Sequence, residues 1–189
     1  MARLATKTDL ARVTVLDTSR GAAELLERRV GGILQGVAQV RSCRPDDLKP
    51  GAADVVVCYA HAVHLPSIQA RCPGARCVEV ELSLLPQGVR KLQEINQPLD
   101  VVVVAEHQRC ANYFLSEIMR AGITEPRFYT TTIARMTRVQ ADVFVIGEEM
   151  LELVPSSFAG CSLPVPRSVS PYSASQLIKV VFEHRTAGA

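Results

Sequence analysis

The sequence predicts an α/β protein in two lobes, with parallel-rich sheets flanked by helices and two crossover segments, and three observations carry that prediction. A short apolar run opened by aspartate occurs three times: Asp54-Val55-Val56-Val57-Cys58, Asp100-Val101-Val102-Val103-Val104 and Asp142-Val143-Phe144-Val145-Ile146. Consecutive apolar, mostly β-branched residues without alternation mark strands buried on both faces, as in parallel sheets covered by helices. Segments of helical periodicity alternate with the strands, the pattern of right-handed βαβ units. Finally, extended segments at 77–83 and 161–167 flank a block, 84–160, with its own helices and buried strands. That arrangement assigns 12–83 with 164–189 to one lobe and 84–163 to the other.

The elements follow in order. Arg12 to Leu16 is a first strand closed by Asp17-Thr18-Ser19-Arg20-Gly21. Ala22, Leu25, Leu26, Val30, Ile33 and Leu34 then recur at helical spacing, with Thr18 or Ser19 available as the amino-terminal cap. Ala38 to Cys43 alternates and so belongs nearer a sheet edge. After the first buried strand, a short helix from Leu65 to Ala70 ends at Cys72-Pro73-Gly74, and Cys77 to Leu82 is a strand with one wet face.

Leu84 to Ile95 is an amphipathic helix stopped by Asn96-Gln97-Pro98. The second buried strand leads to a helix from Ala111 to Ala121, closed by Gly122. Arg127 to Thr131 is a strand, and a polar segment joins it to the third buried strand. Pro164 and Pro166 make 162–168 extended, and Ser173 to His184 is a helix capped by Ser170 or Ser173. Beyond the strand signature no internal repeat is legible.

Composition narrows the function classes. The chain has 189 residues, 48% of them hydrophobic and 21% charged, ordinary values for a globular protein. Its 21 basic and 19 acidic residues are interspersed, so no electrostatic footprint for nucleic acid stands out. No apolar run approaches the roughly 20 residues of a membrane span, and Met1 to Lys7 lacks the apolar stretch of a signal peptide, so no membrane contact and a cytoplasmic address are expected. In that compartment six cysteines read as buried small hydrophobes rather than a disulfide framework.

The chemistry is expected where the buried strands end, because ligands of open α/β sheets bind at the carboxyl ends of the strands. The candidates are Thr18, Ser19 and Arg20 after the first strand and Tyr59, His61 and His64 after the first signature. Glu106, His107 and Arg109 follow the second signature, with Gln108 in the same loop, and Glu148 follows the third. Arginine beside a helix amino terminus suits a carboxylate or phosphate, so a small polar or anionic ligand in a cleft between the lobes is expected. Cys58, His61 and His64 form an alternative metal set, although their spacing matches no familiar zinc pattern. No nucleophile elbow, phosphate loop or dinucleotide fingerprint is present, so neither a catalytic residue nor a cofactor is expected.

Ala141 to Glu148, Leu153-Val154-Pro155, and Leu163 to Ser170 with Ser173 resemble the closing half of effector-sensing domains in bacterial transcription regulators. These domains occur with winged-helix regulators of the GntR type and as relatives of the propionate-activator amino-terminal domain. Ala53 to His61, with Val78 to Leu92, looks like the family's first lobe and first crossing. The resemblance runs from about residue 12 to 184 on short, degenerate motifs. It implies a periplasmic-binding-protein-like domain that closes on a small molecule and acts as a homodimer, meeting DNA only through a separate domain outside this chain. Cys58-Tyr59-Ala60-His61 also loosely resembles the first cysteine motif of aspartate/glutamate racemases, which would make Cys58 an acid/base thiol; Glu148 stands where the second cysteine would fall. A metal-binding or oligomerisation module is a further alternative.

Overall fold

All three signatures form strands, and the burial of those strands explains their lack of alternation. The protein is described by a computed structural model over residues 10–60 and 65–187. Val101 and Val103 face one core with Phe114, Ile118 and Leu92, while Val102 and Val104 face a second core with Met136, Phe144 and Ile146. All four valines are fully buried, so each face of the strand contributes roughly 1.5–3 kcal/mol per valine. A polar residue at any of these positions would enter one core or the other.

The chain divides into two units, Met1–Glu81 with Val169–Ala189 and Leu82–Ser168. Unit 1 contains β1 (Ala11–Leu16), β2 (Ala38–Cys43), β3 (Val55–Tyr59) and β4 (Arg76–Val80), in the sheet order β2-β1-β3-β4. Unit 2 contains β6 (Asp100–Ala105), β7 (Arg127–Thr132), β8 (Val143–Gly147) and β9 (Ser162–Val165), in the order β7-β6-β8-β9. Every neighbour in both sheets is parallel. The chain passes from one unit to the other twice, after Glu81 and after Ser168, and β5 (Leu82–Leu84) pairs with β10 (Arg167–Val169) as a two-stranded ribbon.

Helices α1 (Arg20–Ile33), α2 (Leu65–Arg71), α3 (Pro86–Glu94), α4 (Gln108–Arg120) and α5 (Pro171–Ala187) complete the α/β alternation. Residues 82–83 and 164–168 belong to unit 2, a correction to the lobe assigned from sequence, because β5 and most of β10 lie on the unit 2 side of the two passages and β9 is bonded to β8. No helix among the described residues is long and apolar enough to cross a membrane.

The structure also corrects the expectation of no internal repeat. Val13 pairs with Val40 and Val55, and Val101 pairs with Phe128 and Val143, each residue 88 positions on. The helices obey the same shift: α1 begins at Arg20 after Ser19, and α4 at Gln108 after His107. After the third strand the shift shortens to 85, relating β5 at Leu82 to β10 at Arg167 and α3 at Pro86 to α5 at Pro171. Equivalent bonds flank the crossings, Leu85 N–H to Pro166 O at 3.1 Å and Ser170 N–H to Glu81 O at 2.8 Å. Each half therefore sends its last helix to the other half's sheet, α3 onto β9 and α5 onto β4.

The signature aspartates serve this scaffold. Asp54 accepts the Arg12 backbone N–H at 2.7 Å, and Asp142 accepts that of Asp100 at 2.8 Å. Both stand at the amino ends of their strands, so they tie neighbouring strands together on the edge away from the candidate ligand residues.

Candidate functional site

In unit 2, β6 and β8 deliver two loops to the carboxyl edge of one sheet. Ala105 ends β6, Glu106 is half-buried, and exposed His107 caps α4 without a side-chain bond to the helix. The first turn of α4 carries no acidic residue. Its dipole and the exposed Arg109 thus give this end positive character. The helix starts at Gln108, not Ala111 as the sequence suggested, so Gln108 and Arg109 sit in its first turn rather than in a loop. Gln108 is engaged locally, donating to Thr130 Oγ1 at 2.7 Å and Asn112 Oδ1 at 3.1 Å.

The β8 loop brings a pair that sequence reasoning missed. Glu148 is half-buried, but the next residue, Glu149, is turned inward at the start of a 3-10 turn (Glu148–Leu153) and is 6% exposed. It accepts from Arg167 Nη2, and Arg167 is itself only 8% exposed. The Arg167 guanidinium lies over the Phe114 ring, 4.1 Å from its centroid, an arrangement in which a cation meets the negative face of the ring.

Gly147 makes room for the pair. A Cβ there would overlap the Glu149 carboxylate and lie 2.7 Å from Arg167 Nη2. Arg167 Nε is buried with no hydrogen-bond partner among the described residues. The Cys110 thiol, in the first turn of α4, is pushed up by burial while the charge of Arg167 pulls the other way. The guanidinium therefore sits between the end of β8 and the first turns of α4. The one signal in sequence was an arginine inside the otherwise uncharged extended run Val165-Pro166-Arg167-Ser168-Val169.

In unit 1, Thr18, Ser19, Arg20 and Tyr59 come to the corresponding edge. Ser19 caps α1, its Oγ accepting the Ala22 N–H at 3.4 Å, and the buried Asp17 carboxylate accepts the Ser19 N–H at 2.8 Å. Thr18 is exposed, whereas Arg20 pairs along the helix with Glu24 at 2.8 Å. Tyr59 is the buried last residue of β3. His61 and His64 lie outside the described residues.

Cys58 is fully buried among Leu16, Val56, Ile68 and Cys72, and burial pushes its thiol up to about 12. Such a thiol is neutral at physiological pH and faces the core, which leaves racemase-like acid/base chemistry without its first group. Among the described residues no group of three or more His, Cys, Asp or Glu side chains is arranged to hold a metal ion.

No protein-family model and no curated protein sequence matches the chain. Among solved structures, the bifunctional 5,10-methylenetetrahydrofolate dehydrogenase/cyclohydrolase from Thermoplasma acidophilum is similar at a TM-score of 0.32 and 12% identity, over 94% of this chain and 89% of that one. At that score the likeness bears on neither fold detail nor function.

Proposed function

We propose that this chain is a sensing domain that binds a small anionic molecule at the carboxyl edge of the unit 2 sheet and reports its presence to a transcription regulator. The observation that carries the reading is the buried guanidinium of Arg167 beside the positive amino end of α4, with Arg109 exposed on the same turn. Ligands of open α/β sheets gather at such strand ends, and a helix amino terminus favours negative charge. As proposed, the domain works in the cytoplasm as a homodimer and reaches DNA only through a separate domain. The chain's two passages from one unit to the other support a sensing role, since a protein of two units can respond to a ligand by moving one against the other.

Thermal-shift screening with small carboxylates, inorganic phosphate, nucleotides and divalent metals tests the proposal. The expected result is stabilisation by a small anion, reaching about 2.7 kcal/mol at a hundredfold excess over Kd, and its loss in Arg109→Ala. Stabilisation by metals alone, or by no compound, rejects it.

A further inference from the structure

The Arg167–Glu149 pair is hard to explain as scaffolding. Replacing buried ion pairs with apolar residues of similar volume is often neutral or stabilising, because desolvating two charges offsets their attraction. The repeat provides a comparison inside the same chain. The first-half position equivalent to Arg167 is Leu82, which is 6% exposed. The position equivalent to Phe114 is Leu26, fully buried like Phe114 itself. Leucine thus stands at both positions in the first half, while the second half puts a cation over an aromatic ring and supplies it with a carboxylate. At these two positions the cation and the ring occur in the second half alone.

The details around Arg167 are those of an anion receptor. Its planar fork presents donors in the geometry that fits a carboxylate through two parallel hydrogen bonds. Phe114 supports the plane from one side, and Gly147 leaves the space in front of Nη2 clear of any Cβ. Nε remains an unused buried donor among the described residues. The carboxylate now on Arg167 comes from a short 3-10 turn, whose hydrogen bonds are poorer than those of an α-helix, and whose Leu151 and Leu153 are 44% and 41% exposed.

We infer that Arg167 is the carboxylate receptor of unit 2 and that Glu149 is a built-in stand-in, displaced when a small-molecule carboxylate takes its place. This inference rests on the anion-sensing proposal and deepens it, since it names the ligand class and the segment that responds. Displacing Glu149 releases the 148–153 turn, so occupancy of the site becomes a change in a segment that carries exposed leucines. A ligand competing with an internal carboxylate pays a population penalty, because apparent affinity falls by the fraction of receptor left open.

The experiment uses the full chain with acetate, succinate, inorganic phosphate and sulfate as probes. Binding is followed by calorimetry and by the 15N–1H resonance of Arg167 Nε, assigned through its disappearance in Glu149→Gln/Arg167→Met. The expected results are a shift of that resonance with acetate and succinate in the wild type, binding about tenfold tighter in Glu149→Gln, and no binding in the double variant. If Glu149→Gln does not fold, the wild-type resonance decides alone. Anion binding that is lost in Arg109→Ala but leaves the Nε resonance unmoved overturns the Glu149 stand-in and spares the broader proposal. Tighter binding of phosphate or sulfate than of either carboxylate overturns the ligand class. Absence of binding by all four probes in wild type and Glu149→Gln overturns both.

Discussion

Asp54 holds Arg12 by both its backbone and its side chain, accepting the backbone N–H at 2.7 Å and the Nη2 donor at 2.6 Å. The backbone bond recurs 88 residues later between Asp142 and Asp100, at 2.8 Å. What the sequence displays as a repeated aspartate is thus a repeated strand tie, placed at the edge of each sheet away from the ligand candidates.

The tie has a pH signature. Hydrogen bonding from Arg12 is the main reason the Asp54 carboxyl titrates below its usual range, with burial opposing. A depressed folded-state value means that the stabilisation is present above the unfolded value of about 3.9 and is lost as pH falls through the folded value below it. Arg12 is half exposed, which limits the contribution. Asp54→Asn is expected to lower stability at pH 7 by about 1–2 kcal/mol, with the gap to wild type closing below about pH 4, as measured by urea unfolding across pH.

Two glycine substitutions are expected to act in opposite directions. On α3, a Cβ at Gly88 would lie 2.7 Å from Pro166 O and 2.9 Å from Val165 Cγ1. Gly88→Ala should therefore destabilise by about 1–3 kcal/mol despite the better helix propensity of alanine. On α1, a Cβ at Gly32 meets nothing within 4 Å, so Gly32→Ala should stabilise by about 0.5–1 kcal/mol. Thermal denaturation of the two variants checks both signs.

Buried Cys58 should be chemically silent. With its thiol pushed up to about 12 and no exposed surface, it is expected to escape iodoacetamide in the native protein at pH 8, while half-buried Cys161 reacts. Peptide mapping after brief alkylation gives the comparison. Rapid native labelling of Cys58 would restore a thiol-based reading.

The Arg167–Glu149 pair should be costly to break and inexpensive to remove. Arg167→Met alone leaves Glu149 buried without its cationic partner and is expected to cost about 3–5 kcal/mol, whereas Glu149→Leu/Arg167→Met should be neutral or stabilising by about 1–4 kcal/mol. Equilibrium unfolding of both variants tests this, and a double variant as unstable as the single one would mean that the charges hold the fold together.

The sequence made the strands legible because burial on both faces leaves an unmistakable apolar run, as at Val101 to Val104. The repeat was hidden because its register depends on the lengths of βαβ units, not on side-chain identity: Ser19 and His107 occupy equivalent positions without resembling each other. α4 starts three residues before its helical periodicity becomes legible, because Gln108, Arg109 and Cys110 carry no apolar periodicity. At the candidate site the sequence marks Glu148 and not its neighbour Glu149, since only the 3-10 turn decides which of two adjacent glutamates points inward. Arg167 was missed for a related reason. Its burial depends on Phe114 and Glu149, which lie far from it in the chain.

Calorimetric titration of succinate into the wild type and into Glu149→Gln/Arg167→Met tests most directly whether unit 2 senses an anion through Arg167. Saturable binding in the wild type that disappears in the folded double variant is expected. Equal affinity in the two proteins, or no binding in the wild type, would show that Arg167 is not the receptor.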